Sequence, residues 1–379
     1  VSFRYASGVN KPGYNPLVPG TPIYAYNLFS WGQNTTGQLG NQNTTNQSSP
    51  NQVGSLTNWL VLTGGYNSSF ALKTDGTMWA WGNNAAGQLG QGNTTNRSSP
   101  VQIGALTIWA SIGSAFRTNF GVTTSGALWV WGSGAQGRTG LGNTTYYSSP
   151  KQVGSLTNWL RISSGSYGHV LAVKTDGTLW AWGYNNNGQL GLGDTVNRSS
   201  PVQVGALSNW ANVSAGQNDW SIAVKTDGTL WTWGSNVVGQ LGLGNRTYYS
   251  SPKQVGALTA WLLPSAGYRH ALVTKTNGTL WAWGEGNYGQ LGNNSINQIN
   301  TSPLQVGALT NWSIASAAVN FSLAVKTDGT LWSWGQNSVG QLGQNTVGAG
   351  TYKSSPTQVG SSTTWYSVSA TYVSGLALG

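Results

Sequence analysis

The chain has 379 residues, of which only 6% are charged, against roughly 25% in ordinary soluble domains. With 55 glycines and 21 tryptophans it is too aromatic and too weakly charged to be disordered. The absence of cysteine excludes disulfides, thiol nucleophiles and Cys-ligated metals, and no run of about 18 apolar residues offers a membrane-spanning helix.

Residues 1–22 carry Pro12, Pro16, Pro19 and Pro22 without periodicity. They read as an extended arm, and they lack the apolar core of a signal peptide. From Ile23 a repeat takes over. Trp-Gly pairs begin at Trp31, Trp81, Trp131, Trp182, Trp233, Trp283 and Trp334, in steps of 50 or 51 residues. A fixed period of this length marks an array of like units. In the unit 151–201, KQVG (151–154) is a short extended piece. NWLRISSG (158–165), HVLAVKT (169–175) and TLWAWG (178–183) follow as strand-like runs. Nothing has helical period and helical length. Four short strands per unit, punctuated by Gly and Pro, describe a sheet blade, and the fold class is all-β, a single seven-bladed propeller over residues 23–379.

Asp-Gly at 75–76, 176–177, 227–228 and 328–329, Asn277-Gly278 and Ser125-Gly126 predict a two-residue hairpin of type I′ before each last strand. The two Trp of LWAWG share one face of their strand, with Leu179 and Ala181 on the other. A third Trp opens the second strand of each unit, at 59, 109, 159, 210, 261, 312 and 365. Twenty tryptophans thus have a place in the repeat, and Trp220 is left over. The net charge of +10 includes the repeated Lys73, Lys174, Lys225, Lys275 and Lys326. Lysines spread in this way read as a solvated rim rather than a nucleic-acid stripe. The chain stops at SGLALG (374–379), where a final strand is due, and NLFSWG (27–32) supplies it. The seventh blade is then shared by both ends of the chain, with Phe29 standing where other units have a Trp.

GYNNNGQLGLGDTVNRSSPVQVG (183–205), with the LAVKTDGTLWAWG stretch before it, resembles the regulator of chromosome condensation repeat. The resemblance covers about 23–379 and implies a seven-bladed propeller. It also implies several uses. One is nucleotide exchange on a small GTPase through acidic residues. Here only Asp194, Asp219 and Glu285 lie outside hairpin turns, so that use is not expected. Another is that of secreted bacterial propellers, which bind or inhibit a specific protein through an aromatic-rich face. Low-charge versions with near-identical repeats are similar to those of phage and environmental genomes, which implies a virion or extracellular protein.

The seven internal copies differ most in the turn after the Trp-led strand. It holds Tyr66 and Asn67, Phe116 and Arg117, Tyr167 and His169, Asp219 and Trp220, Tyr268 with Arg269 and His270, Asn320 and Phe321, and Tyr372. All seven turns fall at one end of the ring, and their residue types suit a binding surface. A second variable window precedes Ser-Ser-Pro and carries Tyr146, Tyr147, Tyr248, Tyr249 and Tyr352. No catalytic constellation, cofactor motif or metal set is found, and GQLGLG has no helix after it to make a phosphate cradle. The expected role is a non-enzymatic binding propeller, a tail- or surface-associated virion protein contacting a host-surface glycan or protein. Residues 1–22 would dock on other virion proteins. No nucleic acid and no membrane insertion are expected.

Overall fold

The structure, a computed structural model, describes residues 26–379. The arm assigned to 1–22 lies outside the described residues. Seven four-stranded antiparallel sheets are arranged as a ring. In blade 1 the strands, from the axis outward, are Trp59–Gly64, Ser68–Lys73, Met78–Gly82 and Arg97–Gln102. Blades 2 to 6 repeat this order over 109–152, 159–203, 210–254, 261–305 and 312–358. Blade 7 joins Ser367–Ala370 and Ser374–Leu378 to Leu28–Gly32 and Gln47–Gln52. The expected closure holds, with two strands from each end of the chain. Phe29 meets Trp365 edge-on at 4.9 Å, as Trp79 meets Trp59 at 6.1 Å.

The structure shifts the phase of the unit. The extended piece at 151 does not open blade 3. It closes blade 2 as the outer strand Tyr147–Gln152, with Lys151 opposite Val130. Each such strand contains the proline of Ser-Ser-Pro or Thr-Ser-Pro. Proline is tolerated there because the strand is an edge, and it blunts that edge against further pairing.

The hairpin before the third strand is also different from expectation. Gly76 has φ +78, but Asp75 does not have positive φ, so the turn is not type I′. Gly76 N donates to the Lys73 carbonyl, and Lys73 N to the Thr77 carbonyl. Three loop residues with Gly in the left-handed position make a type I turn with a bulge. The Asp75 carboxylate accepts from Thr77 N (2.9 Å) and Thr77 Oγ1 (2.6 Å), and Thr77 Oγ1 accepts from Trp79 Nε1 (2.8 Å). The aspartate therefore organises the turn, and its hydrogen bonds hold its carboxyl below the usual range despite some burial.

Blades pack through unlike faces. Phe70, Leu72, Met78 and Ala80 of blade 1 face Trp109, Ile112 and Trp131 of blade 2. On the other face of blade 1, Trp59, Ala71 and Trp81 meet Leu28, Leu376 and Leu378 of blade 7. Seven such clusters, one per blade junction, form the core. The inner strands of all seven blades line a narrow cavity of about 80 Å³ on the axis. Ser163, Ser214, Ser265 and Ser316 each accept, at 2.9–3.0 Å, the backbone N–H of the next blade's inner strand.

The lysines overturn the solvated-rim expectation. Lys73, Lys174, Lys225, Lys275 and Lys326 are 5–9% exposed. In four of these blades the ammonium stands 3.6–3.8 Å from the centroid of the first Trp of the Trp-x-Trp pair. In blade 5, Lys275 is 4.4 Å from Trp261 and 4.8 Å from Trp281. The aliphatic stem covers the indoles while the charge lies over their faces. A cation over an indole contributes roughly 0.5–2 kcal/mol. Replacing Lys225 with Met keeps the stem and removes the charge. Chemical denaturation should show a loss of that size, about 0.5–2 kcal/mol, and no loss for Met at the exposed Lys151. Equal midpoints for Lys225→Met and the parent would show that the charge contributes nothing.

Candidate binding interface

Neighbouring strands are antiparallel, so the loop after each inner strand and the long loop after each third strand open at the same end of the ring. Both variable windows therefore lie together. The first window divides into an outer and a buried layer, because in blades 3 to 6 its last residue is already the first of the second strand.

The outer layer is aromatic. Tyr66 of blade 1 lies 4.2 Å from Tyr372 of blade 7 and 4.5 Å from Phe116 of blade 2, centroid to centroid. The Arg117 guanidinium stands 5.0 Å from the Phe116 ring. Tyr167 is 45% exposed. It reaches past blade 4 to Tyr268 of blade 5, with hydroxyl oxygens 3.3 Å apart. That hydrogen bond, followed by burial, pushes the Tyr167 hydroxyl up to about 12. The Arg269 guanidinium lies 5.2 Å from the Tyr268 ring and 3.9 Å from Glu285. Asn67 and Asn320 are half-buried; Asn320 Nδ2 donates to Gln336 Oε1 at 3.1 Å, and the Asn67 carbonyl accepts from Asn83 N at 2.8 Å.

The buried layer holds the other candidates. His169, Trp220, His270 and Phe321 occupy one equivalent position and are closed to solvent. Trp220 Nε1 donates to the Gly267 and Tyr268 carbonyls, both at 3.2 Å, so it supports the loop that carries Tyr268. His270 Nε2 is 3.0 Å from Ser322 Oγ of blade 6. Glycine is required beside these rings, since a Cβ on Gly267 would stand 2.8 Å from the His270 ring. Burial pulls His169 down to about 4 and His270 to about 3. Asp219, at φ +55, accepts from Asn187 Nδ2 at 3.1 Å and Gln189 Nε2 at 3.0 Å. Burial nonetheless raises its carboxyl to about 6.

Sequence reasoning missed Arg138, which replaces the Gln of GQLG in blade 2. It is buried, its Nε donates to the Ala135 carbonyl at 2.8 Å and its Nη2 to Gln136. A side chain on Gly168, beneath Tyr167, would collide with it. The departure from GQLG at 137–140 was the available signal. Among the described residues no group of three or more His, Cys, Asp or Glu is placed to hold a metal, and no helix is long and apolar enough to cross a membrane.

These ionisations give stability a defined pH dependence. A histidine whose folded value lies below 6.5 contributes fully above pH 6.5, and the contribution is lost as pH falls toward 3–4. Asp219 acts in the opposite sense. Its raised value favours the fold at low pH, and that contribution is lost as pH rises through about 6. Phe fills this position in blade 6, so the double variant His169→Phe, His270→Phe should fold. It should lose the histidines' share of the acid sensitivity, gaining on the order of 3 kcal/mol per histidine at pH 4 over the parent, beyond any change at pH 7.5. Urea denaturation at a series of pH values measures this, and parallel pH profiles for parent and variant would contradict it.

The comparisons with known proteins follow the same pattern. The model of the "Regulator of chromosome condensation (RCC1) repeat" matches at 27–72, 75–116, 125–173, 176–218, 227–274, 277–325 and 328–374. The ultraviolet-B receptor UVR8 of Arabidopsis thaliana is 33% identical over 197 residues, 50% of this chain and 44% of that protein. Protein RCC2 of Mus musculus is 42% identical over 97 residues, 25% of this chain and 18% of that protein. The chain thus spans less than half the length of these curated relatives. Among solved structures, Prp20p of Saccharomyces cerevisiae superposes with a TM-score of 0.84 at 19% identity, covering 94% of this chain and 92% of that one. Human WBSCR16 gives 0.83 at 20% identity, covering 94% and 99%. These two likenesses are likenesses of fold. With seven matched repeats running through seven blades, the chain belongs to the regulator of chromosome condensation repeat family.

Proposed function

We propose that this chain is a binding propeller that takes its partner on the loop end of the ring, against Tyr66, Phe116, Tyr372, Tyr167 and Tyr268 with Arg117 and Arg269. The observation that carries this reading is the meeting of tyrosines from different blades there, Tyr167 with Tyr268 and Tyr66 with Tyr372. Rigid tyrosines flanked by arginine lose little side-chain entropy on binding and recur at interface hot spots. The partner we favour is a protein. Prp20p, of the same fold, is described by its binding to Gsp1p and histones.

The narrower setting we propose is a virion surface, with a host-surface protein or glycan as the partner. Its support is the weakly charged exterior rich in Asn, Thr, Ser and Gln; the relatives named above are eukaryotic and lend it nothing. The second reading is a secreted bacterial propeller that binds or inhibits one protein, and it uses the same face. Sedimentation of the native source material, with the chain followed by peptide mass spectrometry, separates the two. Pelleting with virus-sized particles supports the virion setting, and a wholly soluble chain overturns it. The face is tested by the triple variant Tyr167→Ala, Tyr268→Ala, Arg269→Ala. It should keep the parent melting temperature within a few degrees and lose attachment at least about tenfold, a change of roughly 1.4 kcal/mol or more. Protease or glycosidase treatment of the host surface then identifies the partner's chemistry. Undiminished attachment by the triple variant would remove this face from the proposal.

A further inference from the structure

At the end of the ring away from the tyrosines, a cavity of about 540 Å³ opens over blades 3, 4 and 5. That volume lies within the range of small-molecule sites, roughly 300–1,000 Å³. We propose that it binds a carboxylate-bearing ligand with an apolar body, either a small organic acid or the carboxyl terminus of a peptide.

The argument begins from one position of the repeat. Two residues after the Trp that leads into each inner strand stand Val61, Ser111, Leu263, Ile314 and Ser367 in five blades, but Arg161 in blade 3 and Asn212 in blade 4. Both line the cavity. Arg161 is 5% exposed. One arm of its guanidinium donates to Asn212 Oδ1, and Asn212 Nδ2 donates to the Leu262 carbonyl at 2.9 Å. The chain of donors fixes the plane of the guanidinium. A guanidinium carries five N–H donors in a rigid fork, and a carboxylate is the anion that matches the fork with two parallel bonds.

The remaining walls suit the rest of such a ligand. Trp210, Trp261, Leu160 and Leu262 are apolar lining. Room is made by two small residues. Ala211 stands where blades 1, 3 and 5 have Leu60, Leu160 and Leu262. Ala260 stands where blades 1, 3, 4 and 6 have Asn58, Asn158, Asn209 and Asn311. Ala260 also takes a positive φ of +70, and Trp261 Nε1 donates to the Leu258 carbonyl at 3.1 Å. Lys174 and Lys225 line the cavity, and so do Asp176 and Asp227. Each aspartate is engaged in its own turn, Asp176 by Thr178 and Asp227 by Thr229. Three cationic side chains against two acidic ones leave the cavity net positive, in a chain of net charge +10.

The test is isothermal titration of the full chain with three probes. These are 2-naphthoate, an N-acetylated tripeptide ending in a free Phe carboxylate, and the same tripeptide as its C-terminal amide. Binding of at least one carboxylate probe is expected, with the amide at least about tenfold weaker, the loss of one charge-assisted pair. Tighter naphthoate points to a small organic acid, and tighter tripeptide to a chain terminus. Arg161→Leu, which installs the residue of blade 5, should weaken binding at least about tenfold. Ala211→Leu installs the residue of blades 1, 3 and 5 and fills the cavity without touching a charge. It should weaken binding equally, and it decides the matter where Arg161→Leu fails to fold. Tyr268→Ala, at the opposite end, should leave these affinities unchanged, which separates this site from the tyrosine face. The proposal is overturned by an absence of binding of either carboxylate up to millimolar concentration, by an amide that binds as well as the acid, or by undiminished binding to Ala211→Leu.

Discussion

One hydrogen bond, made seven times, governs this ring. The Trp of each Trp-Gly pair donates its indole N–H to a main-chain carbonyl in the long loop of the preceding blade. The pairs are Trp31 with Gln341, Trp81 with Gln38, Trp131 with Gln88, Trp182 with Arg138, Trp233 with Gln189, Trp283 with Gln240 and Trp334 with Gln290, at 2.8–3.1 Å. Each bond is buried, so its net worth of about 0.5–1.5 kcal/mol understates the case. An indole N–H left without a partner there would cost about 1–3 kcal/mol. The loop motif follows from this bond. The second glycine of GQLG lies against the indole, and a Cβ at Gly40, Gly90 or Gly242 would stand 2.7–2.9 Å from it. In five blades an Asn two residues beyond the Trp-Gly glycine accepts the Leu N–H of GQLG, as Asn84 does from Leu89 at 2.8 Å. A loop that belongs to one blade is thus shaped to cap the next.

The same directionality runs through the core. Each blade has an aliphatic face and a tryptophan face, and a junction needs one of each. A sheet of this kind cannot bury itself alone, and a row of them would end with one face bare on each side. Closing the row into a ring removes both bare faces. Division of blade 7 between the two ends of the chain completes the last junction, and there Trp31 and Trp365 pack with Leu323, Val325 and Leu331 of blade 6.

The period, the four strands, the closure and the shared end of the variable turns were legible, because each follows from spacing and from the two-residue alternation of strands. What was not legible depends on three dimensions. Asp75-Gly76 looks like a two-residue hairpin, and only the backbone shows that Gly alone takes positive φ while the aspartate serves the turn by hydrogen bonding. Lys225 looks like a surface charge, since nothing local says that Trp210 and Trp231 flank its stem. Trp220 and His270 look like site residues because they differ between copies. Variation marks freedom from the demands of the repeat, and a buried residue facing a variable neighbour has that freedom as fully as an exposed one. The role of Gln189 was hidden because it is the main chain, not the side chain, that meets Trp233.

The two ends of the ring then diverge for a physical reason. The seven latches and the alternating faces recur at every junction, and bonds between the turns after the inner strands, such as Gln217 N to the Gly267 carbonyl (3.0 Å) and Tyr268 N to the Ala318 carbonyl (2.9 Å), run through the main chain, so the side chains of those turns can vary. Their outer residues form the tyrosine face, and their last residues become packing beneath it. The two layers are coupled: Trp220 binds the carbonyls of Gly267 and Tyr268, so a core residue of blade 4 sets the height of an exposed tyrosine in blade 5. At the other end the Asp-Gly turns vary little, and difference enters through the inner strands and the loops that lead into them, as at Ala260. Arg161, Asn212 and Ala211 enter there, on neighbouring strands of blades 3 and 4. One end is diversified by loops and the other by a cavity, and a ring held together by its junctions tolerates both.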